Sequence, residues 1–214
     1  MRFAEQQCLE LVETNFSSVF KIFKRNYHIV PLEVFGKNPY KTLISTILSA
    51  RTKDEITLEA SKRLFKKAST IKKLRDLKIE EIERLIYPVG FYRTKAKHLY
   101  TLSRSDLVRK ILYKGPALTQ ANPMKLPGVG RKTANLVLNR AFGIPAIAVD
   151  THVHRICNLL GWVKTKTPQE TEKKLNKILS KKYWPEVNRL FVSIGRQYST
   201  NKKLEEFLRK EKIL

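Results

Sequence analysis

Leu126-Pro127-Gly128-Val129-Gly130-Arg131-Lys132-Thr133-Ala134-Asn135 is a short glycine-rich turn that opens directly into an amphipathic helix. Two glycines let a backbone turn sharply and approach another molecule closely. Backbone N–H groups and the positive end of the helix dipole at such a start attract an anion. A phosphate fits that description, and so does an ordinary helix–helix turn that needs glycine geometry. Downstream, Leu136, Val137 and Phe142 share one helical face with Arg140 opposite.

The same helical periodicity runs outward from the turn in both directions. Leu43, Ile44, Ile47 and Leu48 fall on one face, and no stretch alternates as a strand would. Asn38-Pro39 and Thr167-Pro168 each place a capping residue before a proline suited to the first helical turn, and Trp184-Pro185 opens a further helix. The pattern predicts an all-α protein with helices over 3–25, 39–50, 54–67, 80–86, 92–112, 131–142, 151–160, 168–181, 185–198 and 202–212. Connections are short, and no Gly/Ser linker, repeat or low-complexity segment marks a domain boundary.

The chain has 214 residues, with 43 Lys and Arg against 19 Asp and Glu and a formal net charge of +24. Such a charge opposes compactness unless a polyanion neutralises it, which makes nucleic acid the first partner to consider. A solvated basic surface or a ribosomal protein would share the composition. Cys8 and Cys157, far apart in sequence, are too few for a disulfide framework or a four-thiolate site and read as buried free thiols. The start Met1-Arg2-Phe3-Ala4-Glu5 has no apolar signal region, and no stretch nears the roughly 18 apolar residues that span a bilayer. A soluble, intracellular protein without a membrane partner is expected.

The hairpin sequence, followed by Val149-Asp150-Thr151-His152, resembles the endonuclease III family of helix-hairpin-helix (HhH-GPD) glycosylases. Weaker matches at Leu48-Ser49-Ala50-Arg51-Thr52-Lys53-Asp54 and Val89-Gly90-Phe91-Tyr92 extend the resemblance over most of residues 30–198. It implies two all-helical domains flanking a DNA-binding cleft. One would be a central helical barrel of residues 32–144 that carries the hairpin. The other would be discontinuous, built from 1–31 and 145–214.

The resemblance also implies chemistry. Lys132 and Asp150 would face each other across the cleft, with the Lys132 amine attacking C1′ of a damaged nucleotide to form a Schiff base, and β-elimination cutting the strand 3′ to the lesion. A lysine in the first turn of a helix meets an unfavourable dipole, and partial burial in a cleft would further favour its free amine. Asp150 would stabilise positive charge on the sugar and help take a proton from Lys132. Read from its residues alone, Asp150 serves equally well as the N-cap of the helix that contains Ile156 and Leu159.

Reaching C1′ in a duplex requires the nucleotide to be rotated out, leaving a gap that a side chain must fill. Arg51 stands where bacterial relatives commonly have glutamine, and Phe91 where they insert an aliphatic residue, so both are wedge candidates; a buried core aromatic is the alternative for Phe91. Gly128, Val129, Gly130, Arg131, His152 and Arg196 are candidate DNA contacts, each of the basic ones also readable as a solvated charge. His152 and His154, two apart on a helix, point to different faces, so no side-chain metal site is read from them; His154 reads as structural or exposed. The resemblance further implies a sodium or potassium ion at the backbone carbonyls of Met124, Leu126 and Val129.

Two departures stand out. Many relatives carry a four-cysteine iron–sulfur cluster near the C-terminus, whereas nothing after Gly195-Arg196-Gln197-Tyr198 is cysteine here. No iron–sulfur cofactor is therefore expected, and a last helix with Leu204, Phe207 and Leu208 on one face would cover that region by apolar burial. Pro123 replaces an apolar residue before the hairpin, and Asn122 capping a short helix from Pro123 would preserve the motif.

The implied function is a bifunctional base-excision glycosylase and AP lyase that acts on oxidised or saturated pyrimidines in double-stranded DNA, as a monomer in the cytoplasm or nucleoid. Alternatives are a glycosylase for mispaired thymine or uracil, or for adenine opposite oxidised guanine, which in relatives generally carries tyrosine or serine in place of Lys132. A noncatalytic helix-hairpin-helix scaffold remains a third, and it would need neither Lys132 nor Asp150.

Overall fold

A computed structural model describes residues 15–114 and 123–214, and these are helical throughout, joined by turns and short extended connections. They divide into two compact units: Pro31–Ala148, and the described residues up to Val30 together with Val149–Leu214. Among the described residues no helix is long and apolar enough to cross a membrane.

The unit Pro31–Ala148 begins with a 3-10 turn, Pro31–Phe35, and continues through α2 (Pro39–Ser49), α3 (Asp54–Lys67), α4 (Ile71–Arg75), α5 (Ile79–Ile86), α6 (Tyr92–Arg104), α7 (Asp106–Lys114) and α8 (Arg131–Phe142). We keep α1 for the helical residues 15–25 of the other unit. Asn38 caps α2 by accepting the Lys41 N–H at 3.0 Å, with Pro39 at the first helical position, so the proline has no N–H to leave unsatisfied. α2 is buried at Tyr40 and from Thr42 to Leu48 and packs against α3, α6 and α8. Its Leu43, Ile44, Ile47 and Leu48 meet Leu64, Leu99 and Val137 in one apolar core.

Two features depart from the periodicity. The stretch expected as one helix over 92–112 is two, because Ser105 leaves the helical conformation and its hydroxyl accepts the Leu107 N–H at 3.2 Å. A serine hydroxyl competes with the helix for backbone N–H groups in this way. Helix α4 was not expected: five residues are too few to show a period, yet Thr70 caps them by accepting the Lys73 N–H at 3.3 Å and Ile71 and Leu74 are buried. The expected residues 3–14 of the first helix lie outside the described residues, as do Asn122 and Cys8.

After α8, Gly143 adopts φ +67° and the Ile144 N–H returns to Leu138 O at 3.0 Å, the 6→1 bond of a Schellman-type ending. The chain then runs extended along α8, where Asn135 Nδ2 donates to Ile147 O at 2.8 Å and Asn139 Nδ2 to Ala146 O at 2.9 Å.

The second unit contains α1, α9 (Thr151–Leu159), α10 (Pro168–Ile178), a 3-10 turn at Lys181–Tyr183, α11 (Trp184–Gln197) and α12 (Asn201–Lys210). Its core is aromatic. Phe16 meets Trp162 edge-on at 4.6 Å, Phe20 stacks on Tyr183 at 4.4 Å and Phe23 meets Phe191 at 5.0 Å. The α1–α11 junction is stitched where the Ser193 hydroxyl donates to His28 O at 2.8 Å and Gln197 Nε2 donates to Asn26 O at 2.9 Å. Helix α12 is capped by Thr200, buries Leu204, Phe207 and Leu208, and stacks Phe207 on Tyr198 at 4.3 Å. Leu208 is fully buried, so Leu208→Ala should destabilise the protein by about 2–5 kcal/mol, read as a lowered midpoint in urea denaturation with an unchanged slope.

Candidate functional site

The turn before α8 is built from two tight steps. Leu126 N–H closes on Pro123 O at 3.1 Å around the 3-10 turn Pro123–Lys125, and Val129 N–H closes on Leu126 O at 3.1 Å. Pro123 is thus accommodated in a short helical turn, buried at its start. Leu126 and Val129 put their side chains into the core, at 3% and 6% exposure, and anchor the turn from both sides.

The two glycines do different work. Gly128 sits at φ +75°, and a Cβ there would come within 2.8 Å of His98 Nδ1 and 3.3 Å of His98 Cβ on α6. It is required both by the backbone and by the close packing of the turn on α6. Gly130, the N-cap of α8, has an extended backbone at φ −90° that any residue adopts, and a Cβ there would meet nothing within 4 Å. Of the two roles expected of the glycines, turning the chain falls to Gly128; neither backbone φ nor packing within the protein demands glycine at 130, where it serves as the N-cap.

Val129 needs a similar correction as a contact residue. Its side chain is buried and its N–H is engaged by Leu126 O, so it contributes backbone rather than a side chain. The N-cap supplies no side-chain acceptor and the first turn of α8 has no acidic residue, which leaves the positive end of this helix dipole uncompensated by its own side chains. Arg131 and Lys132 follow immediately and are both exposed. The partial burial expected for Lys132 is not observed, since the buried side of α8 begins with Thr133 and Ala134.

Arg51 and Phe91 come together in the same unit. Each is a non-glycine residue in the left-handed region, at φ +51° and +58°, and such residues store strain that their surroundings must hold. Arg51 follows α2 and Phe91 precedes α6; the Arg51 guanidinium lies 5.5 Å from the Phe91 ring centroid. Phe91 is 61% exposed and is not the core aromatic that was the alternative for it. Beneath the pair, Lys95 Nζ on α6 donates to Leu48 O at 2.8 Å, Ala50 O at 2.5 Å and Thr52 Oγ1 at 3.2 Å. Burial lowers the Lys95 ammonium from 10.5 to about 8. Sequence reading passed over Lys95; no periodicity distinguishes one buried lysine among many solvated ones.

In the second unit, Asp150 is the N-cap of α9, accepting the Val153 N–H on Oδ1 at 2.9 Å. This fixes the carboxylate at the positive end of that helix. Two turns on, Cys157 is fully buried and its thiol is held protonated by burial and then by the Asp150 charge, so it is an inert core group. His152 is half-buried and packs on Gly195 of α11, where a Cβ would collide with its ring. His154 bonds Thr171 Oγ1 at 2.6 Å in a network with Asn158 and Thr165 and is structural. Arg155, also unremarked in the sequence, donates to Gly195 O at 3.1 Å and Tyr198 O at 2.8 Å at the C-terminal end of α11, where a cation is favoured. Arg196 is exposed on α11.

The contrast between the glycines can be measured by urea denaturation. Gly128→Ala should cost about 2 kcal/mol through left-handed strain, with His98 displaced in addition, whereas Gly130→Ala should change stability by less than about 1 kcal/mol.

Residues 44–181 match the family of HhH-GPD superfamily base excision DNA repair proteins. The chain is 45% identical over 187 residues to Endonuclease III of Thermotoga maritima, spanning 87% of this chain and 84% of that protein. It is 44% identical to Endonuclease III-like protein 1 of Mus musculus over 74% of this chain and 53% of that longer protein. A solved structure of a trapped Endonuclease III–DNA covalent intermediate is similar with a TM-score of 0.72 and 35% identity, over 94% of this chain and 89% of that one. By these matches the chain belongs to the HhH-GPD superfamily of base excision DNA repair proteins and, within it, to the endonuclease III family.

Proposed function

We propose that this protein is a bifunctional DNA glycosylase and AP lyase of base-excision repair, removing oxidised or saturated pyrimidines from double-stranded DNA and nicking the strand by β-elimination. The observation that carries it is Lys132, exposed in the first turn of α8 directly behind a hairpin whose Gly130 lies open. A phosphate clamp can use a lysine there too, but it has no need of the Asp150 carboxylate.

In this reading the Lys132 amine attacks C1′ as the N-glycosidic bond breaks and the base departs. The amine gives up a proton, the sugar ring opens, and an imine links Nζ to C1′. Loss of a proton from C2′ then expels the 3′ phosphate. Asp150 is the carboxylate that offsets positive charge on the sugar and accepts the lysine proton; its capping bond to Val153 N–H keeps it oriented for that role. Arg51 and Phe91 fill the gap left by the extruded nucleotide. The hairpin engages a phosphate through Gly128, Gly130 and Arg131, with Val129 anchoring the turn and His152 and Arg196 as further contacts.

The Met124, Leu126 and Val129 carbonyls are neutral, hard oxygens, the donor chemistry of sodium or potassium rather than of a transition metal. A monovalent ion held there would tie the turn to a phosphate. A four-thiolate iron–sulfur cluster does not fit a chain with two cysteines, of which Cys157 is fully buried in an apolar core. In our reading the protein acts as a monomer on DNA in the cytoplasm or nucleoid.

Borohydride trapping tests the assignment. Duplex containing thymine glycol should give a covalent adduct with the wild-type protein, undamaged duplex none, and Lys132→Gln none while it keeps most of its DNA affinity. A Lys132→Gln protein that lost binding and nicking equally would point to a phosphate-binding scaffold. No adduct on either the lesion or a preformed abasic site would leave a monofunctional glycosylase or a DNA-binding scaffold. Gly130→Ala should weaken duplex binding while leaving the fold intact. Affinity should also fall steeply with salt, with log K declining linearly in log salt at about 0.9 per phosphate neutralised, as measured by fluorescence anisotropy.

A further inference from the structure

We infer that Lys95 is a positioning residue for the duplex wedge, clamping the Ala50–Thr52 turn so that Arg51 and Phe91 are held together in their left-handed conformations before DNA arrives. This rests on the reading of Arg51 and Phe91 as the wedge.

The turn carries a geometric problem that Lys95 answers. Helix α2 ends at Ser49, and the last carbonyls of a helix have no intrahelical donor. Lys95 reaches from α6 with a side chain only 6% exposed and gives one N–H each to Leu48 O, Ala50 O and Thr52 Oγ1. Three donors meet three acceptors, so the ammonium is fully used and the turn is bonded on both sides of Arg51. Positive charge is also favoured at a helix C-terminus.

The same turn is joined to the loop that bears Phe91. Gly90 N–H donates to Thr52 Oγ1 at 3.1 Å, and a Cβ on Gly90 would come within 2.6 Å of Arg51 O. The two loops therefore touch backbone to backbone, and Thr52 Oγ1 accepts from Lys95 and Gly90 at once. Two strained residues on separate loops, exposed and 5.5 Å apart, share one buried anchor. An apolar side chain at 95 could fill the space but would leave the Leu48 and Ala50 carbonyls without this donor. The left-handed state of Arg51 would then rest on the Thr52 N–H to Ser49 O, Thr52 Oγ1 to Ala50 O and Gly90 N–H to Thr52 Oγ1 bonds alone. A wedge that must be ordered during base extrusion, rather than beforehand, slows the duplex reaction and leaves chemistry on an already exposed sugar untouched.

Single-turnover rates on two substrates test this: a thymine glycol duplex, which needs the wedge, and a single-stranded oligonucleotide with an abasic site, which does not. Lys95→Met should lose roughly tenfold or more on the duplex, a small share of the strain that two left-handed residues store, and stay within about twofold of wild type on the single strand. Thr52→Ala, which removes one shared acceptor and leaves the lysine, should show a smaller duplex loss in the same direction and covers the case in which Lys95→Met does not fold. Equal losses on both substrates would make Lys95 an ordinary core residue and overturn the inference. Full duplex activity in Lys95→Met, beside a Phe91→Ala protein that loses it, would overturn the inference and leave the wedge reading standing. Full duplex activity in Phe91→Ala would overturn the wedge reading and this inference with it.

Discussion

The backbone at Gly128 passes through φ +75° with no side chain between it and His98, and the site in this unit is arranged around that passage. Because the turn can lie directly on α6, Leu126 and Val129 reach the core on either side of it. Because Val129 is anchored, Gly130 falls at the N-cap and α8 begins at Arg131. Lys132 is then in the first turn by necessity, exposed and beside an anion-seeking helix end. A side chain at 128 would displace all of this at once. One at 130 would displace nothing in the protein.

That distinction marks the limit of what the sequence discloses. Gly-x-Gly before an amphipathic helix announces the turn, and capping pairs such as Asn38-Pro39 and Thr167-Pro168 announce where α2 and α10 start; the structure agrees with each. Local chemistry decides these features, so local sequence carries them. The division of labour between the glycines depends on His98, thirty residues upstream, and no local pattern encodes it. The same holds for Ser105, whose hydroxyl interrupts an apolar period that reads through it, and for Lys95, whose acceptors lie over forty residues away. Motif order singles out Lys132 and Asp150 as candidates. The exposure of Lys132 was not legible, because burial depends on which residues of α8 the core takes.

The capping role of Asp150 is compatible with the chemical one proposed for it. As an N-cap it replaces a bond that the first turn of α9 would otherwise lack, worth about 1 kcal/mol. The same bond fixes the side-chain rotamer, and a carboxylate held by a backbone N–H is already oriented before any substrate is bound. The aspartate also adds to the burial that keeps the Cys157 thiol protonated.

The C-terminal region makes the complementary point about stability. Where a metal cluster would staple a short segment by a few strong bonds, α12 is held by three buried apolar side chains, the Tyr198–Phe207 stack and a Thr200 cap. Arg155 draws the end of α11 together from inside, donating to Gly195 O and Tyr198 O, and its own charge is disfavoured by that burial. Each contact is modest, yet apolar burial is non-directional and accumulates with area. Coordination bonds demand four ligands at fixed geometry and are lost together when one is missing. A helix packed by area loses only the share of each side chain removed, so this end of the chain can change residue by residue while Gly195 continues to make room for His152.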